Sequence, residues 1–416
     1  MSEIPEIITR TTCRVCDSDR LTDLYSLGEQ YVNNFIAKDE LHKCIKAPLD
    51  MVMCENCTLV QLRHTAPQEL LYERFYWYKS GVTNTMKKAL WDITKKAEGM
   101  FDLQAGDVVL DIGSNDGTML RTYEVPGLIT VGVEPARNLA EEGKQGITHF
   151  INDFWNYSYY KDVVGKQAKV ITAIGMFYDM EDPNAFLSDA VQALADDGVF
   201  IAQLMCLKNM LDTNDVGNIC HEHLEYYSFS SLEFFFKKNG LEIFDIEINN
   251  VNGQSYRVYA KKPGAIVPIR AGAAARVQKI RNDEAYLNDK QVHIDFFNRL
   301  EANKKACVDF IHQANAEGKK VWVYGASTKG NVILQYYGLD HTHIPAASER
   351  SPWKWGKHTV GSMIPCVSEE EARAAQPDYF LVLPYAFFGE MYKREAEWRA
   401  KGGKFILPLP EFRVVE

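Results

Sequence analysis

The stretch VVLDIGSNDG at residues 108–117 decides the fold class of this chain. Its apolar first half predicts a β-strand, and its second half predicts a glycine-bearing loop that opens a helix at Thr118. Three more apolar strands follow at LITVGVEP (128–135), KVITAIGM (169–176) and GVFIAQLM (198–205), and helix-length segments separate them. Strands that alternate with helices indicate a parallel sheet with crossover helices, which is an α/β fold.

The rest of the chain is predicted to form two further domains. The first 80 residues carry cysteines, aromatic residues and turn-like polar stretches, which are typical of a small module. After residue 265 a charged, helical pattern is followed by the strands of KVWVYGAS, DYFLVLP and KFILPLP. A chain of 416 residues exceeds what one core usually organises. We therefore expect a cysteine-bearing module at 1–80, a central Rossmann-like domain at 81–265 and a smaller Rossmann-like α/β domain at 266–416.

Composition argues against several classes of function. The formal net charge of −10 repels a phosphate backbone, so no nucleic-acid partner is expected. No apolar run reaches the length that spans a bilayer, so no membrane partner is expected either. The N-terminus MSEIPEIITRTT lacks the pattern of a signal peptide, which predicts a cytoplasmic location. The nine cysteines are then metal ligands or free thiols rather than disulfides. Both a monomer and a small homo-oligomer are compatible with these features.

Four cysteines are spaced as a metal site. Cys13 and Cys16 form one CxxC pair, and Cys54 and Cys57 form a second pair in CENC. Two such pairs supply the four thiolates of a tetrahedral zinc, because each short spacing aims two sulfurs at one ion. A closed four-sulfur site is structural, so the first 80 residues are predicted to be a zinc-binding domain. A redox pair or unrelated free thiols are the alternatives.

The loop after the first strand is predicted to bind a methyl donor. Gly113 lets the backbone approach a ligand closely at the carboxyl end of the sheet. Glu134 ends the next strand about twenty residues later, where an acidic side chain can accept both ribose hydroxyls. The loop does not match GxGxxG, and the acidic Asp111 and Asp116 would repel a pyrophosphate but suit a sulfonium cation and an amino group.

These features favour S-adenosylmethionine over NAD and a class I methyltransferase domain. Asp153 in NDFW is a candidate acceptor for the adenine amino group, with Phe154 or Trp155 against the ring. A plain turn in an α/β core is the alternative. The candidate cofactor-binding residues are Asp111, Gly113, Asn115, Asp116, Glu134, Asp153 and Phe154.

The segment CHEHLEYY at residues 220–227 is unusually dense in titratable groups. Alternate residues of an extended segment share a side, so His221 and His223 are expected to face one way and Glu222 the other. The histidine spacing does not fit the HExxH zinc motif. A histidine near neutral pKa, held by a carboxylate, is what proton abstraction beside a carbonyl requires. Polar groups that cap the end of a sheet are the alternative.

Two other segments carry candidate substrate contacts. The turn and strand of NGQSYR predict a substrate-facing rim that includes Asn252 and Arg257, although Arg257 can instead form a structural ion pair. The stretch YWYKSG places Tyr76 and Tyr78 at a junction between domains, where binding clefts are common. Plain aromatic packing is the alternative there.

The loop YGASTKGN at 324–331 follows a second strand and opens a second helix. It does not match the P-loop, because Lys329 precedes the second glycine. Its backbone amides, the helix N-terminus and Lys329 can still hold a diphosphate, so Gly325, Ser327, Lys329 and Asn331 are candidate substrate-binding residues. A duplicated fold without its ligand is the alternative.

From end to end the chain resembles the three-domain, zinc-containing sugar C-methyltransferases, a family that includes the C3-methyltransferase of tetronitrose biosynthesis. The resemblance is carried in order by the CxxC pairs, DIGSNDG, HEH followed by YYS, NGQSYRVY, GASTKGN, WGKHTVGSMIPCVS and DYFLVLP. It implies a zinc-binding domain, a domain that binds S-adenosylmethionine, and a C-terminal α/β domain that helps to anchor a nucleotide-diphosphate sugar.

The resemblance also implies roles in the site. His223 would be the base that removes the proton from the carbon beside a ketone, Glu222 would orient groups in the pocket, and Tyr76 or Tyr78 would line it. A 4-ketone acidifies the neighbouring C–H, and the resulting enolate is a carbon nucleophile for a sulfonium methyl group.

Two positions depart from the tetronitrose enzyme, and they bear on the choice of function. Cys220 stands where that enzyme has an active-site tyrosine, and Tyr178 stands where it has a histidine; Tyr178 can supply the missing hydroxyl. The favoured hypothesis is methyl transfer to C3 of a nucleotide-linked 4-keto-6-deoxy sugar. Sugar O- or N-methylation is a second hypothesis, and a non-catalytic zinc-bearing binding protein is a third.

Overall fold

Three larger β-sheets organise the chain. The computed structural model describes residues 6–32, 35–73, 76 and 78–416, and the side chains of Glu73 and Asn252 lie outside the described part. The strands of the N-terminal part are β1 (Ile8–Thr9), β2 (Leu21–Tyr31), β3 (Phe35–Ile36), β4 (Lys46–Cys54), β5 (Val60–Leu62) and β6 (His64–Thr65). Those that follow are β7 (Val108–Ile112), β8 (Ile129–Val133), β9 (His149–Ile151), β10 (Ala168–Ile174), β11 (Leu194–Met205), β12 (Glu225–Tyr226), β13 (Glu242–Asn249) and β14 (Ser255–Lys261). The C-terminal part has β15 (Val321–Tyr324), β16 (Ala347–Glu349), β17 (His358–Thr359), β18 (Cys366–Ser368), β19 (Tyr379–Val382), β20 (Lys404–Leu407) and β21 (Arg413–Val415).

Helices cover the central and C-terminal sheets. Those of the central part are α1 (Asn84–Phe101), α2 (Ala140–Gly143), α3 (Tyr157–Val164), α4 (Pro183–Ala193), α5 (Leu207–Asp212) and α6 (Phe229–Lys238). Those of the C-terminal part are α7 (Ala273–Asp283), α8 (Lys290–Ala316), α9 (Thr328–Tyr337), α10 (Glu369–Ala374), α11 (Phe388–Arg394) and α12 (Ala396–Ala400). Within the described ranges no helix is both long and apolar enough to cross a bilayer.

The central sheet has the strand order β13-β14-β11-β10-β7-β8-β9. Neighbours from β11 to β9 are parallel, and β14 and β13 close one edge as antiparallel strands. All five residues of β7 are buried, as expected for a central parallel strand with both faces covered. The chain leaves β7 toward β8 on one side and later returns on the other side as β10. The carboxyl ends of β7 and β10 therefore flank the crevice where such sheets bind ligands.

Helix α1 packs on this sheet because its apolar side chains recur every three or four residues. Leu90, Ile93 and Phe101 belong to its buried stripe. The helix begins after Thr83, whose hydroxyl oxygen accepts a hydrogen bond from the Met86 amide at 3.2 Å and so satisfies one of the free amides of the first turn.

The prediction that a helix begins at Thr118 is wrong. A turn occupies this position, and only one 3₁₀ turn, Leu120–Thr122, follows it. The chain must reach β8 within a few residues, and Pro126 interrupts any helix in between. Arg121 donates to the carbonyl oxygen of Asp116 at 2.6 Å and to that of Gln145 at 3.2 Å, which holds the turn in place without a helix.

The three parts of the chain share strands. The N-terminal sheet has the order β12-β5-β4-β2, and β12 is contributed by the central part, directly after the HEH segment. Strand β17 of the C-terminal part pairs with β3 of the N-terminal part. The C-terminal sheet has the order β18-β16-β15-β19-β20-β21 and is parallel except for β21. The predicted α/β class, with a cysteine-bearing module and two Rossmann-like sheets, is confirmed.

Candidate active site

A cavity of ≈ 450 Å³ opens at the carboxyl ends of the central strands. Gly113 and Asn115 line it from the loop after β7, Glu134 from the loop after β8, and Gly175 and Met176 from the loop after β10. The N-terminal part contributes a cover over this cavity, which consists of Gln68, Tyr72, Tyr76, Tyr78 and Ser80. The cavity therefore lies at the switch point of the sheet, between two parts of the chain.

Glu134 presents a rigid carboxylate to this cavity. One of its oxygens accepts the amide of Asn115 at 2.8 Å, and the other accepts the amide of Ala136 at 2.9 Å. Burial raises the pKa of Glu134, and these two backbone hydrogen bonds oppose that rise. Each oxygen keeps a further lone pair, so the carboxylate can accept two adjacent hydroxyl groups of a ligand.

The loop after β7 holds the cover in place. Gly113 has φ +76°, and a Cβ at this position would lie 2.7 Å from Cγ of Met176, so glycine is required. The side chain of Asn115 accepts the amide of Ser80 at 2.9 Å, and that of Asp116 accepts the amide of Gly81 at 2.7 Å. The loop thus joins the cavity floor to the segment above it.

The two aspartates of the β7 segment are engaged within the protein. Asp111 is buried, its carboxylate accepts the Thr172 hydroxyl at 2.7 Å, and burial raises its pKa to about 7. Asp116 holds Gly81, as described above, and also accepts the amide of Thr118 at 3.1 Å. Among the described residues that line the cavity neither aspartate occurs. Both therefore stabilise the loop from outside the cavity lining.

Aromatic residues flank one side of the cavity. Phe154, Trp155 and Asn156 line it, and the Trp155 ring is fixed by a hydrogen bond from its Nε1 to the Phe186 carbonyl at 3.1 Å. Asp153 is exposed and accepts the amide of Phe154 at 2.7 Å, so it lies beside the lining rather than in it.

The HEH segment is a turn, not the extended strand that was expected. The amide of His223 donates to the carbonyl of Cys220 at 3.1 Å, which closes the turn. The two histidines consequently point to different partners. His221 is buried, and its Nε2 lies 3.0 Å from the carbonyl oxygen of Ala47 in the N-terminal sheet. Burial lowers the pKa of His221 to about 4.

His223 is held by the backbone and lies beside Tyr178. Its Nδ1 is 2.8 Å from the carbonyl oxygen of Asn218, an acceptor, so Nδ1 carries the proton and Nε2 keeps a lone pair. The expectation of a carboxylate partner and a near-neutral pKa is wrong for His223, because a backbone carbonyl holds the ring. Burial, and then the positive charge of Lys329, lower its pKa to about 3, which keeps the ring neutral. The rings of Tyr178 and His223 meet edge-on with centroids 4.7 Å apart.

Tyr178 connects this imidazole to the cavity. Its hydroxyl donates to the carbonyl of Gly175, a residue of the cavity lining, at 3.0 Å. His223 itself is not among the described lining residues, so Tyr178 is the group between them. Cys220 is buried on the same turn, and burial followed by the charge of Glu222 raises the pKa of its thiol.

Lys329 brings the C-terminal part of the chain to this turn. Its ammonium group donates to the side-chain oxygen of Asn218, the residue whose carbonyl holds His223. Ser327 caps helix α9 by accepting the amide of Gly330 at 3.0 Å. Gly325 has φ +84° and lies against Pro384. Asn331 is fully buried. Of the four candidate residues in this loop, Lys329 has a direct contact with the HEH neighbourhood.

Arg257 forms an internal ion-pair network rather than part of the cavity lining. Its side chain is 1% exposed and donates to Gln203 at 3.0 Å and to Asp92 at 2.8 Å. The Glu247 carboxylate lies 3.8 Å away. The side chain of Asn252, its predicted partner on the rim, is outside the described residues.

Replacement of Arg257 by methionine is expected to lower the free energy of unfolding by about 2 kcal/mol, because the buried guanidinium would no longer donate to Gln203 and Asp92. Urea denaturation followed by circular dichroism measures this change. The matched control is Arg281→Met, whose ion pair with Glu233 is 42% and 37% exposed and should contribute under about 1 kcal/mol. An equal or smaller loss in the Arg257 variant would show that the network is not structural.

The four cysteines converge as the sequence predicts. Their sulfur atoms all lie within 4.8 Å of one another, with Cys13 and Cys57 at 3.5 Å and Cys16 and Cys54 at 3.4 Å. Sulfurs about 2.3 Å from one zinc in a tetrahedron lie a little under 4 Å apart, so this set fits the ion. The neighbouring Cys57 sulfur lowers the pKa of Cys13 to about 5, which favours a thiolate.

Arg14 anchors the cysteine-bearing N-terminal module to the central domain. This guanidinium lies between the two cysteines of the first pair in sequence and is fully buried. It contacts Glu181 at 3.3 Å and Glu225 at 3.9 Å. Glu225 begins β12, two residues after His223, so the metal module and the HEH turn share one buried ion-pair network.

Some residues of the site were not assigned from the sequence. Gln68, Tyr72 and Asp179 line the cavity, and Asn218 orients His223. Tyr72 and Asp179 lie near predicted site residues in the sequence, because Tyr72 precedes Tyr76 and Asp179 follows Tyr178. Gln68 and Asn218 carry no local signal, because their contacts depend on how distant segments pack.

Sequence models of three known domains match the chain in succession. A zinc-binding domain matches residues 13–72, a methyltransferase domain matches residues 84–246, and a C-methyltransferase C-terminal domain matches residues 250–410. The C-methyltransferase NovU of Streptomyces niveus is 30% identical over 409 residues, which are 97% of this chain and 96% of that protein.

Solved structures resemble part of the chain. An S-adenosylmethionine-dependent methyltransferase from Clostridium acetobutylicum ATCC 824 has a TM-score of 0.32 and 14% identity, covering 44% of this chain and 94% of its own. Magnesium protoporphyrin IX methyltransferase from Synechocystis PCC 6803 with bound SAH has a TM-score of 0.34 and 12% identity, covering 45% of this chain and 90% of its own.

Proposed function

This chain belongs to the zinc-containing, S-adenosylmethionine-dependent C-methyltransferases, and from that premise we propose that it methylates C3 of a nucleotide-linked 4-keto-6-deoxy sugar. The observation that carries the proposal is the neutral imidazole of His223, which keeps a free Nε2 one aromatic ring away from the donor cavity. A neutral imidazole can accept the proton beside a ketone, which O- or N-methylation does not require. With a pKa of about 3 His223 is a weak base, and the negative charge of a nucleotide diphosphate beside Lys329 would raise that pKa.

The donor fits the cavity through contacts of known chemistry. The Glu134 carboxylate accepts the two ribose hydroxyls, and Phe154 and Trp155 lie against the adenine. At Gly113 and Asn115 the backbone of the loop can approach the rest of the donor closely. Asp111 and Asp116 stabilise this loop through their hydrogen bonds with Thr172 and Gly81. Asp153 on the rim is the nearby carboxylate for the adenine amino group. When bound, the donor supplies an electrophilic methyl group on a positively charged sulfur.

Replacement of Glu134 by alanine is expected to weaken donor binding about 100-fold, since it removes two hydrogen bonds to a charged acceptor. Calorimetric titration with S-adenosylmethionine measures this directly. Glu141→Ala on the exposed face of α2 is the matched control and should bind like the wild type. Donor affinity within about threefold of wild type in the Glu134 variant would place the ribose elsewhere, because a single lost bond already costs more.

The acceptor is proposed to enter between the cover and the HEH turn. His223 removes the C3 proton, Glu222 orients groups in the pocket, and Tyr76 lines it. Tyr178 lies beside the imidazole, and its hydroxyl donates to the Gly175 carbonyl of the cavity lining. Cys220 leaves more room there than the tyrosine of the tetronitrose enzyme would. His221 supports the turn from the side of the N-terminal sheet.

The nucleotide diphosphate is proposed to lie along the C-terminal loop. Lys329 supplies a positive charge next to the HEH turn, and it lies in the first turn of α9, where the free amides of a helix favour an anion. Ser327 and Gly325 shape this loop, and Asn331 supports it from the core. Tyr78, which is 45% exposed, lies at the outer edge of the cover.

Nuclear magnetic resonance of the product tests the proposal. Incubation with a nucleotide-linked 4-keto-6-deoxy sugar and a donor carrying a ¹³C methyl group should give a methyl signal coupled to a quaternary C3. A methyl signal with the shift of a methoxy or N-methyl group would instead establish O- or N-methylation. Binding of the donor without any transfer to such sugars would exclude this substrate class.

A further inference from the structure

Asp179 is one of the carboxyl-bearing residues that line the cavity. It follows Tyr178 in the loop after β10 and lines the same cavity as Gly113 and Glu134. Its backbone is fixed on both sides, because its amide donates to the Met176 carbonyl at 3.2 Å and its carbonyl accepts Nε2 of Gln68 at 3.2 Å. The carboxyl group is therefore presented from a rigid loop at the donor site.

One oxygen of this carboxyl group lacks a partner. Among the described residues, Oδ1 of Asp179 is buried and makes no hydrogen bond. Tyr72 faces the carboxyl group, and its hydroxyl also lies 2.8 Å from the carbonyl oxygen of Glu222. Where this hydroxyl donates to Asp179 it lowers the pKa of the carboxyl group, an effect smaller than that of burial. A buried polar atom without a partner costs stability unless a ligand satisfies it.

Two carboxyls and three phenols face Asp179. The carboxyls, Glu222 within the HEH turn and Glu225 just after it, favour the neutral form of Asp179, whereas the hydroxyl of Tyr72 favours the ionised form. The other two phenols are those of Tyr76 and Tyr178. Burial raises the pKa of Asp179 well above the ordinary value, and the charges of Glu225 and Glu222 add to the rise. The guanidinium of Arg14 is the cationic partner of Glu225 and not of Asp179.

We propose that Asp179 is a further catalytic residue, a neutral carboxylic acid that donates a hydrogen bond to the carbonyl oxygen of the methyl acceptor. The proposal rests on the enolate chemistry proposed above. The side chains beside His223 offer no strong free donor, because the Tyr178 hydroxyl donates to the Gly175 carbonyl and the Cys220 thiol is a weak hydrogen-bond donor. A carboxylic acid kept neutral by its surroundings is a strong donor to a developing oxyanion.

The enolate forms in one step and is consumed in the next. Nε2 of His223 takes the C3 proton, the C3–H electron pair forms a C3=C4 bond, and the carbonyl pair moves to O4, where Asp179 donates its hydrogen bond. The pair on O4 then reforms the carbonyl, and the C3=C4 pair bonds to the methyl carbon as the S–CH₃ pair returns to sulfur. Asp179 keeps its proton throughout, and the proton on His223 passes to water.

The pH dependence of kcat in two variants of Asp179 tests the proposal. Wild-type activity should fall as the pH rises through the raised pKa of Asp179. Asp179→Asn keeps an N–H donor, so it should retain activity within about tenfold and lose this alkaline fall, whereas Asp179→Leu should lose about 10²–10³-fold in kcat. Asp162→Asn, on the exposed face of α3, is the control and should keep the wild-type profile. An unchanged alkaline fall in Asp179→Asn would overturn the proposal.

Thermal unfolding gives a second readout that does not depend on turnover. A raised carboxyl pKa in the folded state contributes stability below the unfolded pKa, and this contribution is lost as the pH rises toward the folded pKa. Asp179→Asn lacks that loss, so its Tm relative to wild type should increase as the pH rises above about 4, the ordinary value of an unfolded Asp. A constant difference in Tm would show that Asp179 is ionised throughout and would overturn the proposal.

The product of the wild-type enzyme separates this proposal from the one it rests on. A methyl group on C3 together with an unchanged profile in Asp179→Asn refutes the role of Asp179 alone. A methyl group on oxygen or nitrogen refutes the enolate route and the role of Asp179 with it.

Discussion

Replacement of His223 by alanine is expected to lower kcat by about 10²–10⁴-fold, the range that a positioned general base contributes. The structure supports this size of effect because Nδ1 donates to the Asn218 carbonyl, which leaves Nε2 as the basic atom. Donor binding should survive, since His223 is not among the described residues that line the donor cavity. Steady-state kinetics and calorimetric titration with S-adenosylmethionine measure the two quantities on the same sample.

His223→Asn is the matched variant for this experiment. Its amide can still donate to the Asn218 carbonyl, but it has no basic nitrogen, so it should be as inactive as the alanine variant. High activity in His223→Asn together with low activity in His223→Ala would show that the residue acts by packing. Normal turnover in both variants would remove His223 from the mechanism.

Loss of zinc is expected to have the second large effect. Structural zinc contributes about 10–16 kcal/mol to the folding of small four-ligand domains. Replacement of Cys57 by serine should therefore release the metal and unfold the N-terminal module. The effect should extend to the site, because Arg14 lies between the first two cysteines and pairs with Glu225 beside the HEH turn. A buried carboxylate that loses its partner costs about 3–5 kcal/mol.

Metal content by mass spectrometry, Tm and kcat should all fall together in Cys57→Ser. Cys44→Ser is the control, because this half-buried thiol lies outside the quartet and should leave all three quantities unchanged. A Cys57 variant that loses its metal but keeps wild-type Tm and kcat would contradict the structural role of the zinc. One that keeps a full equivalent of zinc would contradict the ligand set.

Local sequence patterns were sufficient to predict the central strand with its loop, the cysteine cluster and the acidic residue after β8. The apolar run that ends at Gly113 predicts β7 and its loop, since a buried parallel strand reads as a continuous apolar segment. The two CxxC spacings predict the sulfur cluster because each pair lies on one short turn. The acidic residue at the end of β8 also follows from position alone, and Glu134 lines the cavity as expected.

Other features depended on contacts that no local pattern contains. The HEH segment was expected to be extended, but a hydrogen bond between His223 and Cys220 closes a turn that sends His221 to the N-terminal sheet. Lys329 lies over a hundred residues from Asn218 in sequence, and only the packing of α9 brings the two together. The same applies to Asp179, whose surroundings come from three separate segments.

Hydrogen exchange at C3 is the measurement that tests the central claim most directly. The enzyme is incubated in heavy water with the nucleotide-linked 4-keto-6-deoxy sugar and with S-adenosylhomocysteine in place of the methyl donor. The account predicts that the wild type incorporates one deuterium at C3 and that His223→Ala does not. The contradicting result is methyl transfer to C3 in the complete reaction without enzyme-dependent exchange. In that case neither the wild type nor His223→Ala would incorporate deuterium faster than the sample without enzyme.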